Sequence, residues 1–288
     1  MNYDLLISVD QLQGMQALPA SHASVLIFDC TFDLANPAAG RIAYLESHIA
    51  GAVYANLDTA LSDKKGTGVS GGRHPLPSRE TFAKWLSSVG LTNDMQAVVY
   101  DRNGANYCGR LWWMLKWAGH KNVAVLDGGL QAWHAAGGTV ASGPESPVSP
   151  SNYALAEAIS ALVATKTVAD NLGRPIQTLI DARGAPRFRG EVEPLDPVAG
   201  HIPGALNRPF TQNVGADGKF KPADELRAEF TALLAGRDPA TVVHHCGSGV
   251  SAAPNIVAMQ IAGFGMTGLY AGSWSDWCSD ASRPVAQG

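Results

Sequence analysis

The stretch Val242-Val243-His244-His245-Cys246-Gly247-Ser248-Gly249-Val250-Ser251 holds one thiol where backbone amides can gather round it. The two valines predict a buried strand, Gly247 and Gly249 let the chain curl, and the run from Ser251 to about Ala262 predicts a helix. Cys246 then stands first in a loop that leads to a helix N-terminus. Free N–H groups at such a place form a nest that favours negative charge. A cysteine pKa of about 8.5 falls there by one to several units, giving a nucleophile at neutral pH. The plainer reading is a small hydrophobe packed at a strand end.

Two chemistries use a cysteine held this way. A Cys-x5-Arg phosphatase needs a guanidinium six residues on to clamp the phosphate, and that position is Ala252. The short loop suits a small charged adduct on the sulfur better than a tetrahedral phosphate. It resembles the active-site loop of the rhodanese-like sulfurtransferases, and Cys-Gly-Ser-Gly-Val-Ser is similar to the 3-mercaptopyruvate branch. Thiosulfate-using members usually place a basic pair after the cysteine, where Gly247 and Ser248 stand here. The histidines at 244 and 245 do not suggest a metal site, because adjacent strand residues point to opposite faces.

The elements that must position this loop are written twice. Val25-Leu26-Ile27-Phe28-Asp29 has its echo in Thr178-Leu179-Ile180-Asp181, and His48-Ile49-Ala50-Gly51-Ala52 in His201-Ile202-Pro203-Gly204-Ala205. Ala97-Val98-Val99-Tyr100-Asp101 matches the strand before Cys246, and Val125-Leu126-Asp127-Gly128-Gly129 with Trp133 matches Leu269-Tyr270-Ala271-Gly272 with Trp277. Short hydrophobic strands alternate with helical patterns, so the fold class is α/β: two tandem rhodanese-like domains, each a mainly parallel sheet flanked by helices. The Pro- and Ser-rich stretch from Ser142 to Asn152 reads as the linker, which predicts domains at 1–147 and 148–288. Asp101 stands near the place of Cys246 and cannot accept a sulfane sulfur. The first domain is therefore expected to be a non-catalytic copy that walls a cleft over the second loop. Trp112, Trp113 and Trp117 have helical spacing and are expected in the core, Cys108 is expected to pack, and His48 and His201 to fix turns.

Composition sets the outer limits. The chain has 288 residues, enough for two cores, with 46% hydrophobic and 16% charged residues. A formal charge of −4 argues against nucleic acid or an anionic membrane as partner. No apolar run approaches a membrane span of about 20 residues, and the start has no secretion-signal layout. The four cysteines are scattered, so a reducing cytoplasm is the expected location. No cofactor or metal is expected.

The resemblance implies a set of roles. Cys246 would carry the persulfide; Ser248, His74 and Asp58 would handle protons. Arg187 in Arg-Phe-Arg-Gly would hold the donor carboxylate, with Gly247, Gly249, Val250 and Ser251 forming the substrate loop. His74 lies in Gly71-Gly72-Arg73-His74-Pro75-Leu76-Pro77, on a glycine-rich loop expected to reach the second domain. Phe32, Tyr107 and Phe210 are similar to the family's apolar cleft lining. A second arginine common in the mercaptopyruvate branch is replaced by Leu195. The expected partners are a small anionic sulfur donor and a thiol, thioredoxin-like or cyanide acceptor. Rival readings are a thiosulfate sulfurtransferase and a sulfur carrier loaded by a desulfurase without small-molecule turnover.

Overall fold

The computed structural model describes residues 2–18 and 24–288. By packing they form two units. The first takes in residues up to Leu61 with Pro77–Ile159 and Val214–Phe220; the second takes in Ser62–Leu76, Ser160–Asn213 and Lys221–Gly288. Both are discontinuous, where the sequence suggested one boundary near residue 148.

The first unit holds strands β1 (Leu6–Ile7), β2 (Val25–Asp29), β3 (His48–Ile49), β4 (Val53–Tyr54), β5 (Gln96–Tyr100), β6 (Val123–Leu126) and β7 (Val140–Ala141). Its helices are α1 (Val9–Gln16), α2 (Pro37–Glu46), α3 (Arg79–Ser88), α4 (Cys108–Trp117) and α5 (Gly129–Ala135). Five strands pair in parallel in the order β1-β6-β5-β2-β4, and β3 pairs with β7 antiparallel. Ser8 and Gln11 close a capping box at the start of α1, and Ser78 caps α3. Every residue of α4 is buried, Trp112, Trp113 and Trp117 included, which places them in the core as their spacing predicts. Buried Arg110 on that helix donates to the Leu61 carbonyl at 2.8 and 3.1 Å.

The second unit repeats the plan with β8 (Ala161–Leu162), β9 (Thr178–Asp181), β10 (Leu206–Asn207), β11 (Val242–His245) and β12 (Gly268–Leu269). Helices α6 (Thr165–Asp170), α7 (Ala185–Phe188), α8 (Ala223–Leu234), α9 (Ala253–Ile261) and α10 (Ser273–Trp277) accompany them. The order β10-β9-β11-β12-β8 is parallel throughout. Helix α9 begins two residues later than Ser251, because Pro254 is tolerated only in a first helical turn.

In each sheet the chain leaves one strand toward an edge and returns on that strand's other side. The two halves part between β2 and β5 and between β9 and β11. Crevices that take ligands open at the carboxyl ends of strands at such a switch point. Asp29 pairs in register with Tyr100, and Asp181 with His245, so the next residues, Asp101 and Cys246, are structural equivalents.

The repeated histidines also do the same job twice. His48 stacks on Tyr44 at 4.0 Å with Nδ1 2.7 Å from the Tyr44 carbonyl, and His201 stacks on Phe188 at 3.8 Å with Nδ1 2.8 Å from the Phe188 carbonyl. Each ring pins the end of the helix that follows β2 or β9. In the second unit that helix is α7, which carries Arg187.

Candidate active site

Cys246 follows β11 directly and is buried. Its N–H donates to Ser273 Oγ at 3.1 Å, and the Ser273 hydroxyl donates to the Tyr270 carbonyl at 3.0 Å. The carbonyls of Cys246 and Gly247 accept the N–H groups of Trp274 and Ser275 at 3.0 and 2.9 Å. The loop thus turns its first carbonyls toward α10. Among the described residues no acceptor takes the N–H of Gly247, Ser248, Val250 or Ser251. Unclaimed amides on a curled loop are the makings of an anion nest. Gly249 has φ +76°, and a Cβ there would run into the Ala271 carbonyl, so only glycine lets the loop pass. Ser273 is buried at φ +56°, an uncommon conformation for a non-glycine residue, and its two hydrogen bonds secure it.

The equivalent loop of the first unit makes the nest visible by filling it. The Asp101 carboxylate accepts the N–H groups of Asn103 and Ala105 at Oδ1, at 2.8 and 3.1 Å. At Oδ2 it accepts those of Tyr107 and Cys108, at 2.8 and 2.9 Å. A fixed anion sits there, and no sulfur does.

Ser248 lies two residues after the thiol and is buried, with Oγ 2.8 Å from Nδ1 of buried His74. His74 is numbered with the first half of the chain but folds with the second unit, in the strap Ser62–Leu76. The strap braces itself: the Asp63 N–H donates to the Pro75 carbonyl and Val69 N–H to the Leu76 carbonyl, both at 2.8 Å. Gly72, at φ +84°, passes so close to α10 that a Cβ would meet the Gly272 carbonyl at 2.5 Å. The Arg73 N–H then donates to Ser275 Oγ at 3.1 Å.

Arg187 sits on α7, whose first turn is set by Pro186 and closed by the Arg187 N–H on the Gly184 carbonyl at 3.0 Å. Its guanidinium meets Glu193 at 2.6 and 3.2 Å and Asp196 at 3.4 Å. Glu193 also accepts the N–H groups of Leu195 and Asp196, at 3.0 and 3.2 Å, which folds Asp196 back toward the loop. Behind them Arg183 clasps Asp181 at 2.7 Å, reaches Glu193 at 3.3 Å and stacks over Trp274 at 4.8 Å. At the outer end Arg73 is ion-paired with Asp196. Six charges therefore alternate in sign: Asp181, Arg183, Glu193, Arg187, Asp196, Arg73. Burial opposes the ionised Glu193, but Arg187 and the loop amides hold it below the usual carboxylate range. Burial likewise opposes Asp181, and His245 and Arg183 hold it low.

The remaining expected site residues are spread more widely. Asp58 belongs to the first unit, in the turn after β4, with its N–H on Asn56 Oδ1 at 2.9 Å. Phe32 and Tyr107 meet edge-on at 5.7 Å in the first unit, and Phe210 lies in a 3-10 turn of the second. Leu195, where the resemblance expects an arginine, is exposed. Val250 is buried. Burial lowers His244 to about 3 and pushes the thiols of Cys30, Cys108 and Cys278 up, with nearby carboxylates adding to the effect. Sequence reasoning missed Ser273, Glu193 and Asp196. The two acids had one signal, in Glu191-Val192-Glu193-Pro194-Leu195-Asp196 following an arginine-rich turn; Ser273 had none, because its role arises from a left-handed backbone.

Comparison with known proteins follows the same outline. The family profile described as "Rhodanese-like domain" matches residues 8–136 and 164–280. A Pseudomonas aeruginosa protein provisionally named a 3-mercaptopyruvate sulfurtransferase is 46% identical over 285 residues, covering 98% of this chain and 100% of its own. A Mycobacterium tuberculosis protein provisionally named a thiosulfate sulfurtransferase is 41% identical over 287 residues, covering 99% and 97%. The crystal structure of an Escherichia coli 3-mercaptopyruvate sulfurtransferase superimposes with a TM-score of 0.79 at 31% identity, covering 95% of this chain and 100% of that one. With a cysteine heading the loop at the switch point of the second sheet, this chain belongs to the tandem-domain rhodanese-like family and is a sulfurtransferase of the cysteine-persulfide kind.

Proposed function

We propose that the protein moves a sulfane sulfur from 3-mercaptopyruvate, through a Cys246 persulfide, to a thiol, thioredoxin-like or cyanide acceptor, with release of pyruvate. The carrying observation is the 2.8 Å hydrogen bond between Ser248, on the loop that Cys246 begins, and His74. Removing sulfur from a carbon leaves a carbanion that needs a proton, and a hydroxyl tied to an imidazole is the group to deliver one. Thiosulfate has no such need.

The reaction divides into two displacements. The Cys246 thiolate attacks the donor sulfur; the S–S bond forms as the C–S bond breaks, and the bonding pair moves into the enolate of pyruvate. The donor's thiol proton passes through Ser248 and His74 to that carbon, so the first half ends as Cys246–S–S⁻ and pyruvate. An acceptor thiol then takes the outer sulfur, its proton leaves with the new persulfide, and Cys246 returns as thiolate. The free amides of Gly247, Ser248, Val250 and Ser251 suit both anionic forms of the sulfur. Arg187 is placed to hold the donor carboxylate with its planar fork. The resemblance adds Asp58 as a third member of the proton relay, and an Asp58→Asn variant tests it.

The test is a comparison of donors. Turnover with 3-mercaptopyruvate should exceed that with thiosulfate, and the isolated protein should gain one sulfur atom in mass after mercaptopyruvate alone, a gain lost in Cys246→Ser. A large preference for thiosulfate would reject the donor. No sulfur adduct from either donor would favour a carrier without turnover.

A further inference from the structure

We propose that the first unit holds a second ligand site, for a small monocarboxylate, beside the loop that Asp101 begins. A cavity of about 340 Å³ opens there, and every residue lining it belongs to the first unit. It lies at the carboxyl ends of β5 and β6, where sheets of this kind take ligands. Its cover comes from far downstream: the hairpin Val214–Phe220 follows β10 as the strap Ser62–Leu76 follows β4, and by packing it joins the first unit. The Phe220 N–H donates to Asp127 Oδ1 at 2.8 Å, and Val214 stands over Gly104, where a Cβ would lie 3.6 Å from it. Sheet end, loop and cover are thus all kept in a repeat whose loop begins with Asp101. The loop also holds an unfavourable shape. Gly104 and Ala105 stand in succession at φ +64° and +65°, and Ala105 stays there because its N–H is held by Asp101 at 3.1 Å. Backbone strain of this kind collects at ligand sites.

The charges select the ligand. Asp101 spends both carboxylate oxygens on four loop amides, so none is left for a cation. Arg102 stands where Gly247 stands in the second unit. Its Nη2 donates to the carbonyls of Ala43, at 2.8 Å, and Ser47, and among the described residues no carboxylate pairs with it. Arg73, Arg183, Arg187 and Arg208, by contrast, each meet a carboxylate. Carbonyl partners leave the Arg102 charge uncancelled. Among the described residues nothing accepts from its Nη1 or from the Gly104 N–H, so hydrogen-bond donors outnumber acceptors here. The other carboxylate of the lining, Asp217, is exposed on the hairpin and accepts the Lys219 N–H at 3.1 Å. The rest of the wall is mainly apolar, through Ala105, Cys108, Val125, Leu126 and Phe220. At about 30 Å³ for a liquid water, the cavity has room for roughly ten non-hydrogen atoms. One carboxylate on a short carbon chain satisfies the guanidinium and the wall together.

The test titrates the isotopically labelled full chain with butyrate, and with uncharged butyramide of the same shape, followed by amide NMR. The signals of Arg102, Gly104 and Phe220 should move with butyrate along a saturating curve, with half-saturation on the order of 1 mM for so small a ligand. Butyramide should bind at least about tenfold more weakly, and Arg102→Gln should cost butyrate a similar factor, the loss of one charged hydrogen bond. Ala216→Trp, at an exposed position of the hairpin, should block the mouth and remove the shifts. Sulfur loading of Cys246 from inorganic persulfide should stay within about twofold in both variants, which shows that they fold. Signals from Gly247 to Ser251 report any binding at the catalytic loop separately. Shifts confined to that loop would overturn the proposal, as would a response that never saturates, equal affinity for butyramide, or unchanged affinity in Arg102→Gln. If Arg102→Gln does not fold, Ala216→Trp and the comparison of butyrate with butyramide on the wild type decide.

Discussion

His74 Nδ1 lies 2.8 Å from Ser248 Oγ although 174 positions separate the two residues. Both are buried, so the bond excludes competing water and fixes the hydroxyl within the loop that Cys246 begins. Ser248→Ala and His74→Asn should each slow mercaptopyruvate turnover by about 10²–10⁴-fold, the usual worth of a positioned proton donor. Loading from inorganic persulfide, which leaves no carbanion, should fall only a few-fold. Rapid-mixing measurement of pyruvate release against sulfur loading separates the two. Equal losses would mean that the pair only shapes the loop.

Ser273 bridges the Cys246 N–H and the Tyr270 carbonyl from a left-handed backbone position. Ser273→Ala keeps the strained backbone and loses both hydrogen bonds. The expected cost is about 1–3 kcal/mol, from a buried N–H left without its acceptor. Denaturant unfolding of the variant beside the wild type measures it, and an unchanged midpoint would refute the bracing role.

What could be read from the sequence follows from range. Strand β11, the glycines after Cys246 and the duplicated Asp29 and Asp181 are local patterns of hydrophobicity and turn chemistry, and the folded chain keeps them. The equivalence of Asp101 and Cys246 was legible for the same reason. The sequence pattern begins α9 two residues early, at Ser251, whereas Pro254 sets the first turn. Arg187 was singled out by resemblance, and its two carboxylate partners were not: Glu193 and Asp196 are surface-type residues in the sequence and show their part only by pairing with that guanidinium. His74 reached the site through resemblance alone, since no periodicity links a loop near residue 70 to one near 248.

The four thiols should differ sharply in reactivity. Burial and neighbouring carboxylates push Cys30, Cys108 and Cys278 up, which keeps them protonated at neutral pH. Iodoacetamide at pH 7 should therefore add one carbamidomethyl group, lost in Cys246→Ser and, after prior loading with sulfur, carried on the outer persulfide sulfur, so that the adduct is heavier by one sulfur atom. Labelling of a second cysteine at a comparable rate, read by peptide mass, would contradict this.

Acid should loosen the charge ladder. Asp181 and Glu193 ordinarily titrate at 3.8 and 4.5, and in the fold both are held lower. The stability they contribute is complete above about pH 4.5 and is lost as pH falls through their depressed values. Unfolding free energy followed from pH 7 down to about pH 3 should decline through that window. Glu193→Gln should flatten the decline while lowering stability at pH 7. A parallel curve for the variant would show that Glu193 is not linked to folding.

The strap of residues 62–76 comes from the half of the chain whose own loop carries Asp101 in place of a cysteine, yet it packs with the second unit. A gene trimmed to its reactive repeat would encode the thiol and its loop, but would be without Arg73 and His74, which fold beside that loop from far upstream. Cutting the chain between the two copies would therefore part Ser248 from His74 and Asp196 from Arg73.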